Sequence, residues 1–537
     1  MALLRSGALV GAYTLASRIL GFVRDVMIAA VLGAGPVADA FVVAFRFPNL
    51  FRNLVAEGAF SVAFVPLYSR AVEERGAEGA RTFAGQVLAV LLATLALVTI
   101  AALAAMPWLM AVIAPGFIET PAKYQLAVEL TRITFPYLLC MALVALLGGM
   151  LNSHFRFAAA AAAPVLLNIT LIAALLLAVG LRVAPGHALA WAVVVAGIGQ
   201  FLWLAAAAAR QGLLPTLPRP RLTPAVRRLL ALMLPGAFGA GVIQINIVVA
   251  TMIASLLPTG AVASLYYADR LYQLPLGVIG TAIGTVLLPE LARKLRSHDP
   301  AGAMLSQNRA LEAALLLTLP AAAALAAIAT PITAVLFQHG AFGAAATRTT
   351  AAALAAFALG LPAYVIVKAL APAFFAREDT VTPVRAAVVA VVTNVVLSLL
   401  LIRPLGPTGI ALATSLAAWV NACGLALSLW RHEHLILDAG FRRRVPRIVA
   451  ASVAMAVCLR LGVHSLGNAF AAGLAYKIAA LAALVSGGAA CYGVLALLLG
   501  AVELELVKRF IRLAGRRGAP LDRPRASRHN SPRVSPS

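Results

Sequence analysis

Residues 16–30 read ASRILGFVRDVMIAA, and residues 39–60 read DAFVVAFRFPNLFRNLVAEGAF. Both are apolar runs of membrane-spanning length, yet they carry Arg18, Arg24, Arg46 and Arg52. A third such run, LYYADRLYQLP, carries Arg270. A guanidinium near mid-bilayer costs at least about 2.5 kcal/mol, so these side chains are expected to face a wet interior rather than lipid. Helical spacing agrees. Arg18 and Asp25 are seven residues apart, as are Asp39 and Arg46, which puts each pair on nearly one helix face but about 10 Å apart along the axis. Neither pair is expected to bond directly. Arg46, Asn49, Asn53 and Glu57 form one stripe, and Asp269, Arg270 and Gln273 cluster in one turn.

The whole chain supports an all-α integral membrane fold. Of its 537 residues, 62% are hydrophobic and only 12% charged, half the usual charged share of a soluble protein. Mean hydropathy is +0.95. The runs are too long for the alternating strands of a barrel, about 10 residues each. Fourteen spans are expected: six within 1–210, a polar linker at 211–228, six within 229–430, and two within 447–500, followed by a basic tail at 501–537. The start lacks the order of a cleavable signal and is expected to be retained as the first helix.

The net charge of +24 would suggest nucleic acid in a soluble chain; here loop asymmetry accounts for it. Twenty Lys and Arg residues fall in loops after even-numbered spans, among them Arg70, Arg75, Arg227, Arg293, Arg442 and Arg443. The other loops carry five: Lys123, Arg182, Arg348, Arg403 and Arg460. Both termini are therefore expected in the cytoplasm. The four cysteines show no metal or redox spacing, the eight histidines are scattered, and no metal site is expected.

The chain also repeats itself. Pro136 pairs with Pro362 and Asn168 with Asn394 at an offset of 226, VADAF (37–41) with VASLY (262–266) at 225, and Pro66/Arg70 with Pro289/Arg293 at 223. An even number of helices per repeat makes the two lobes parallel and pseudo-symmetric about the membrane normal. Pro48 and Pro275 fall in corresponding spans beside the arginines, where a break permits bending.

Guanidinium groups gathered in a cavity imply an anionic ligand, phosphate best of all, because the planar fork makes paired charge-assisted bonds. Arg18, Arg24, Arg52 and Arg270 are the binding candidates. Asp25, Asp39, Arg46, Pro48 and Pro275 are candidates for gating or charge balance. The bland alternative is that the arginines snorkel to the interface or neutralise Asp25, Asp39, Glu57 and Asp269. Lys368 and Lys477 are weaker cationic candidates. Gln244 and Asn246 are weaker still, since buried amides commonly just tie helices together.

The stretches SRILGFVRD (17–25), ADAFVVAFRFPNLFRNLVAEGAFSVAFVP (38–66), LNSHFRFAAAAAAPVLLNI (151–169), YYADRLYQLPLGVIGTAIGTVLLP (266–289) and FFAREDTVTPV (374–384) resemble the MurJ/MviN family of lipid II flippases, across roughly residues 1–510. The resemblance implies the multidrug/oligosaccharidyl-lipid/polysaccharide exporter fold, with two six-helix lobes around a central cavity and two added helices forming a groove for a polyprenyl tail. It implies a transporter of lipid II in the bacterial inner membrane, with lipid II and membrane lipids as partners. It further implies essential arginines at Arg18, Arg24, Arg52 and Arg270, and an acidic gating residue at Asp39. A monomer without a cofactor is expected, with association with cell-wall synthesis proteins and coupling to membrane potential, H+ or Na+ as open possibilities. The rival readings are a flippase for another polyprenyl-diphosphate sugar and a MATE-like drug/cation antiporter, for which mid-span carboxylates without excess arginine are expected.

Overall fold

The computed structural model describes residues 2–51 and 60–502. The first set of helices is α1 (Ala2–Leu32), α2 (Pro36–Phe51), α3 (Ser61–Ala104), α4 (Met106–Ile113), α5 (Pro121–Thr134), α6 (Tyr137–Ser153), α7 (Phe157–Leu181) and α8 (Pro185–Ala209). The second is α9 (Pro224–Ser255), α10 (Ala261–Arg296), α11 (Pro300–Ala327), α12 (Ala329–Phe337), α13 (Ala344–Ala358), α14 (Leu361–Phe375), α15 (Val381–Leu405) and α16 (Pro407–Arg431). Three more follow: α17 (Ala439–Ser465), α18 (Gly467–Ala471) and α19 (Leu474–Leu498).

Local chemistry sets many of these boundaries. Proline opens α5, α8, α9, α11 and α16, where its missing N–H costs nothing. Carboxylates cap two starts: Asp299 accepts from Gly302 N at 2.8 Å, and Asp438 from Phe441 N at 2.6 Å. Within α3 the helix breaks at Gly76, whose φ of 69° and ψ of −172° favour glycine. The second predicted run is described as helix at Pro36–Phe51 and again from Ser61, and this second stretch passes the expected end at 62 before it breaks at Gly76. The expected linker is also shorter, because α9 begins at Pro224 rather than 229, and α17 begins eight residues before 447.

Packing repeats with the sequence. In the first lobe α1 packs on α7, α2 on α5, α3 on α6, and α7 and α6 on α8. In the second, α9 packs on α15, α10 on α13 and α14, α11 on α14, and α15 and α14 on α16. The fourth run of each lobe is broken next to its proline, with Pro136 standing between α5 and α6 and Pro362 in the first turn of α14, just after the break from α13. These broken runs form the cores, with 61% and 67% of their most apolar stretch buried. The corresponding stretches of α15 and α19 are only 17% buried and present apolar surface to the membrane. The two matched asparagines do matching work. Asn168 Nδ2 on α7 donates to Ser17 O on α1 at 2.9 Å, and Asn394 Nδ2 on α15 donates to Asn246 Oδ1 on α9 at 2.8 Å.

Among the described residues, eleven helices are long and apolar enough to cross a membrane, against the fourteen expected. Helices occupy the other three expected runs, α1, α2 and α9. Their shortfall has visible causes: α1 holds Arg18, Arg24 and Asp25, α2 is described for 16 residues, and the apolar part of α9 is only Gln244–Ser255. The last pair, α17 and α19, sits outside the second lobe, with α17 against α11 and α19 against α12.

Candidate substrate site between the lobes

Three of the intramembrane arginines converge on one tyrosine. Tyr266, 4% exposed, stands near the start of α10. Its ring lies 4.8 Å from the Arg270 guanidinium carbon and 5.6 Å from that of Arg46, while its hydroxyl donates to Asp25 Oδ1 at 3.1 Å. The same oxygen accepts from Arg24 Nε at 3.0 Å and Nη2 at 2.7 Å. Arg24 Nη1 reaches back to Asn168 Oδ1 at 2.8 Å, and its guanidinium lies 5.7 Å from the Phe45 ring. Arg24 and Asp25 come from α1, Arg46 from α2, and Tyr266 and Arg270 from α10, so the cluster bridges the seam between the lobes.

Among the described residues its charge is incompletely balanced. Asp25 is committed to Arg24 in a buried pair. Asp269 stands 3.5 Å from Arg270 but also accepts from Gln273 Nε2 at 2.6 Å. Arg46 has only Thr251 Oγ1, at 3.3 Å, and no ion pair among the described residues. Among the described residues Arg270 Nε is buried without a hydrogen-bond partner, although the side chain as a whole remains 35% exposed. Unused donors on a partly accessible guanidinium suit an oxyanion.

Arg18 forms a second tier. It lies six residues before Arg24 on α1, about 9 Å along the axis. Its guanidinium presses on α10 at Gly277, where a Cβ would come within 2.6 Å of Nη1. Lys368 on α14 presses similarly on Gly280 and lies within electrostatic range of Arg18. Both are cationic, and neither has an ion pair among the described residues. Glycines on α10 thus make room for cations in the seam. Arg52 and Glu57 lie outside the described residues. Pro48 and Pro275 lie inside α2 and α10, which continue through them as helices.

Asp39 sits elsewhere, where the lobes meet at the end bearing few basic loop residues. It is 0% exposed and holds three donors: Lys123 Nζ at 2.7 Å, Gly260 N at 2.8 Å and Ala263 N at 2.9 Å. The last two belong to the start of α10, whose partial positive charge favours a carboxylate. Main chain meets main chain around it. Ala341 N donates to Ala30 O at 2.8 Å, Tyr267 Oη to Gly33 O at 3.0 Å, and Gly260, with φ of 95°, abuts the Ala34 carbonyl. Gly116, in a short turn at Pro115–Glu119, abuts Ser255 on the opposite lobe.

The structure therefore brings Arg24, Asp25, Arg46 and Arg270 together, sets Arg18 one tier away, and assigns Asp39 to the lobe contact. One reading changes. Lys123, counted among the loop charges, is 4% exposed on α5 and pairs with Asp39; helix α5 starts before the expected span start at 126, which carries it inside. Tyr266, Asn168 and Thr251 were not recognised as partners of the arginines. Neutral polar residues in an Ala/Leu-rich run carry no periodic signal, although the offset of Asn168 from Asn394 hinted at one of them.

A family profile described as lipid II flippase MurJ matches residues 28–481. A probable lipid II flippase MurJ of Rhizobium meliloti is 46% identical, over 95% of this chain and 97% of the relative. The lipid II flippase MurJ of Burkholderia cenocepacia is 35% identical, over 85% and 89%. Among solved structures, lipid II flippase MurJ in an inward closed conformation superposes with a TM-score of 0.75 at 26% identity, covering 91% of this chain and 98% of that one. An inward-facing multidrug resistance MATE family transporter of the MOP superfamily gives 0.65 at 16% identity, over 78% and 94%, a likeness of fold alone. This multi-pass membrane chain belongs to the lipid II flippase MurJ family.

Proposed function

We propose that this protein carries lipid II, an undecaprenyl-diphosphate-linked peptidoglycan precursor, from the cytoplasmic to the outer leaflet of the bacterial inner membrane by alternating access. It is a transporter and not an enzyme. The observation that carries the reading is the convergence of Arg24, Arg46 and Arg270 from both lobes around Tyr266, incompletely neutralised among the described residues. A diphosphate entering the seam would satisfy the open donors of Arg270 and Arg46, and the cations of the Arg18 tier would meet its second charge. The polyprenyl tail needs no solvation if it stays in lipid or along the peripheral pair α17 and α19. The abundance of arginine favours this substrate class over a cationic drug.

The basic-loop end is assigned to the cytoplasm, with both termini there and α1, α2 and α9 crossing as well, in accord with the charge asymmetry. Rocking of the lobes, with bending at Pro48 and Pro275, would then expose the seam to either side in turn. An inside-negative potential favours return of the empty cationic seam by about 2.3 kcal/mol per charge per 100 mV.

The test is lipid II translocation in proteoliposomes. Arg24→Ala and Arg270→Ala, each removing charge-assisted bonds of about 1.5–3 kcal/mol, should slow flipping at least tenfold at equal protein. Parental rates in both variants would refute the site. Collapsing the membrane potential in the same vesicles should slow the parent protein; indifference would leave H+ or Na+ as the coupled force.

A further inference from the structure

Lys123 and Asp39 form a buried ion pair at a place where the lobes meet main chain to main chain. Both belong to the first lobe, on α5 and α2, whereas the other two donors to Asp39, Gly260 N and Ala263 N, belong to the second. When the lobes part at this end, Asp39 must lose the α10 donors and gain water, while Lys123 can stay with it. When they close, Asp39 is stripped of water entirely, reaching 0% exposure. The start of α10 supplies about half a positive charge, which cannot balance a whole carboxylate. Lys123 supplies the remainder, and its ammonium is itself sheltered, 4.0 Å from the centre of the Phe117 ring. Phe117 belongs to the turn whose Gly116 packs on Ser255 of the other lobe, with Gly116 N donating to Ser255 Oγ at 3.1 Å. The remaining titratable group facing Asp39 from α10 is Tyr267, whose hydroxyl is already committed to Gly33 O.

We infer that Lys123 is a positioning residue of the gate: its charge permits the lobes to seal over Asp39, and its contact with Phe117 couples that seal to the neighbouring one at Ser255. A pair carried by one lobe compensates Asp39 in both states, so closure needs no counter-ion from solution. This rests on the alternating-access reading above.

The experiment reads the gate without substrate. In the full-length protein, with its four native cysteines replaced, Val262→Cys places a thiol at a site 1% exposed beside the seal. Labelling by a membrane-impermeant maleimide should be slow in that parent and at least tenfold faster with Lys123→Met. Adding Asp39→Asn to Lys123→Met should restore slow labelling, because a neutral pair buries no uncompensated charge. Should Lys123→Met fail to accumulate in the membrane, Lys123→Gln keeps a donor and removes only the charge, and it should also label faster. Parental labelling in the charge-neutral variant, or a double variant as fast as the single, would overturn the inference. Since no lipid II is present, that result would leave the flippase reading standing; loss of the Arg24→Ala effect would do the converse.

Discussion

The ring of Tyr266 lies against two guanidinium groups while its hydroxyl donates to Asp25, so two substitutions separate these roles. Tyr266→Phe removes one hydrogen bond, about 0.5–1.5 kcal/mol, and leaves Asp25 with Arg24. Translocation should fall by about tenfold at most. Tyr266→Leu also removes the ring from Arg46 and Arg270, a further ~0.5–2 kcal/mol for each contact, and should be distinctly slower at matched protein levels. Equal rates in the two variants would mean that the ring is idle. At this scale the sequence was legible where it broke the hydropathy rule: an arginine in an apolar run stands out because lipid cannot hold it cheaply. Tyr266 breaks no rule, and Lys123 was hidden because a cation between spans is ordinary. What buried it was the length of α5 and the folding of Asp39 onto the same point, both matters of three-dimensional packing.

Helices obey composition closely, and their ends obey a few residues. Repeated prolines at 136 and 362 were readable as matching positions and prove to stand beside matching breaks. A break around Arg70 and Arg75 was readable, but its place at Gly76 was not, because EERGAEGAR contains good helix formers on both sides of a single left-handed residue. The loop before α15 offers a test of end chemistry. Asp379 Oδ1 accepts from Val381 N and from Thr382 N, each at 3.0 Å. Hydrogen bonding by the Thr382 side chain, then by its backbone, holds the Asp379 carboxyl below its ordinary pKa. A depressed folded-state pKa means a contribution present above the unfolded value and lost as pH falls through the folded one. Asp379→Ala should cost about 1 kcal/mol of local stability at neutral pH, speeding amide exchange at Val381 and Thr382 about fivefold. The difference from the parent should vanish once the pH drops below that depressed pKa. Unchanged exchange at neutral pH would show that the cap contributes nothing.

For the whole molecule, two lobes with matching internal packing meet through α1, α2, α3 and α4 on one side and α9, α10 and α12 on the other, and the seal and the arginine cluster occupy different depths of that seam. The offset pairs foretold the symmetry, since it is written in positions. The count of spans was less secure, because α1 carries Arg18, Arg24 and Asp25, α2 is described for only 16 residues, and α9 is strongly apolar only over Gln244–Ser255. If the lobes must part at the sealed end, tying them there should stop transport. Ala30 and Ala341, joined by a main-chain bond of 2.8 Å, are close enough for a disulfide after replacement by cysteine in a background lacking the native four. Oxidation of Ala30→Cys/Ala341→Cys should abolish translocation and reduction should restore it; transport by the oxidised form would exclude opening at this end.

The contacts at Ala30, Gly33, Ala34, Gly260 and Ala341 consist largely of peptide groups touching peptide groups. Such a closure has few side chains for mutation to adjust, so its strength is nearly fixed by the course of the backbone. Evolution can retune the ease of opening chiefly through the few side chains embedded in it, while most enlargements of its glycines would jam it outright. Resistance to a compound wedged there would consequently be hard to acquire without losing the door itself.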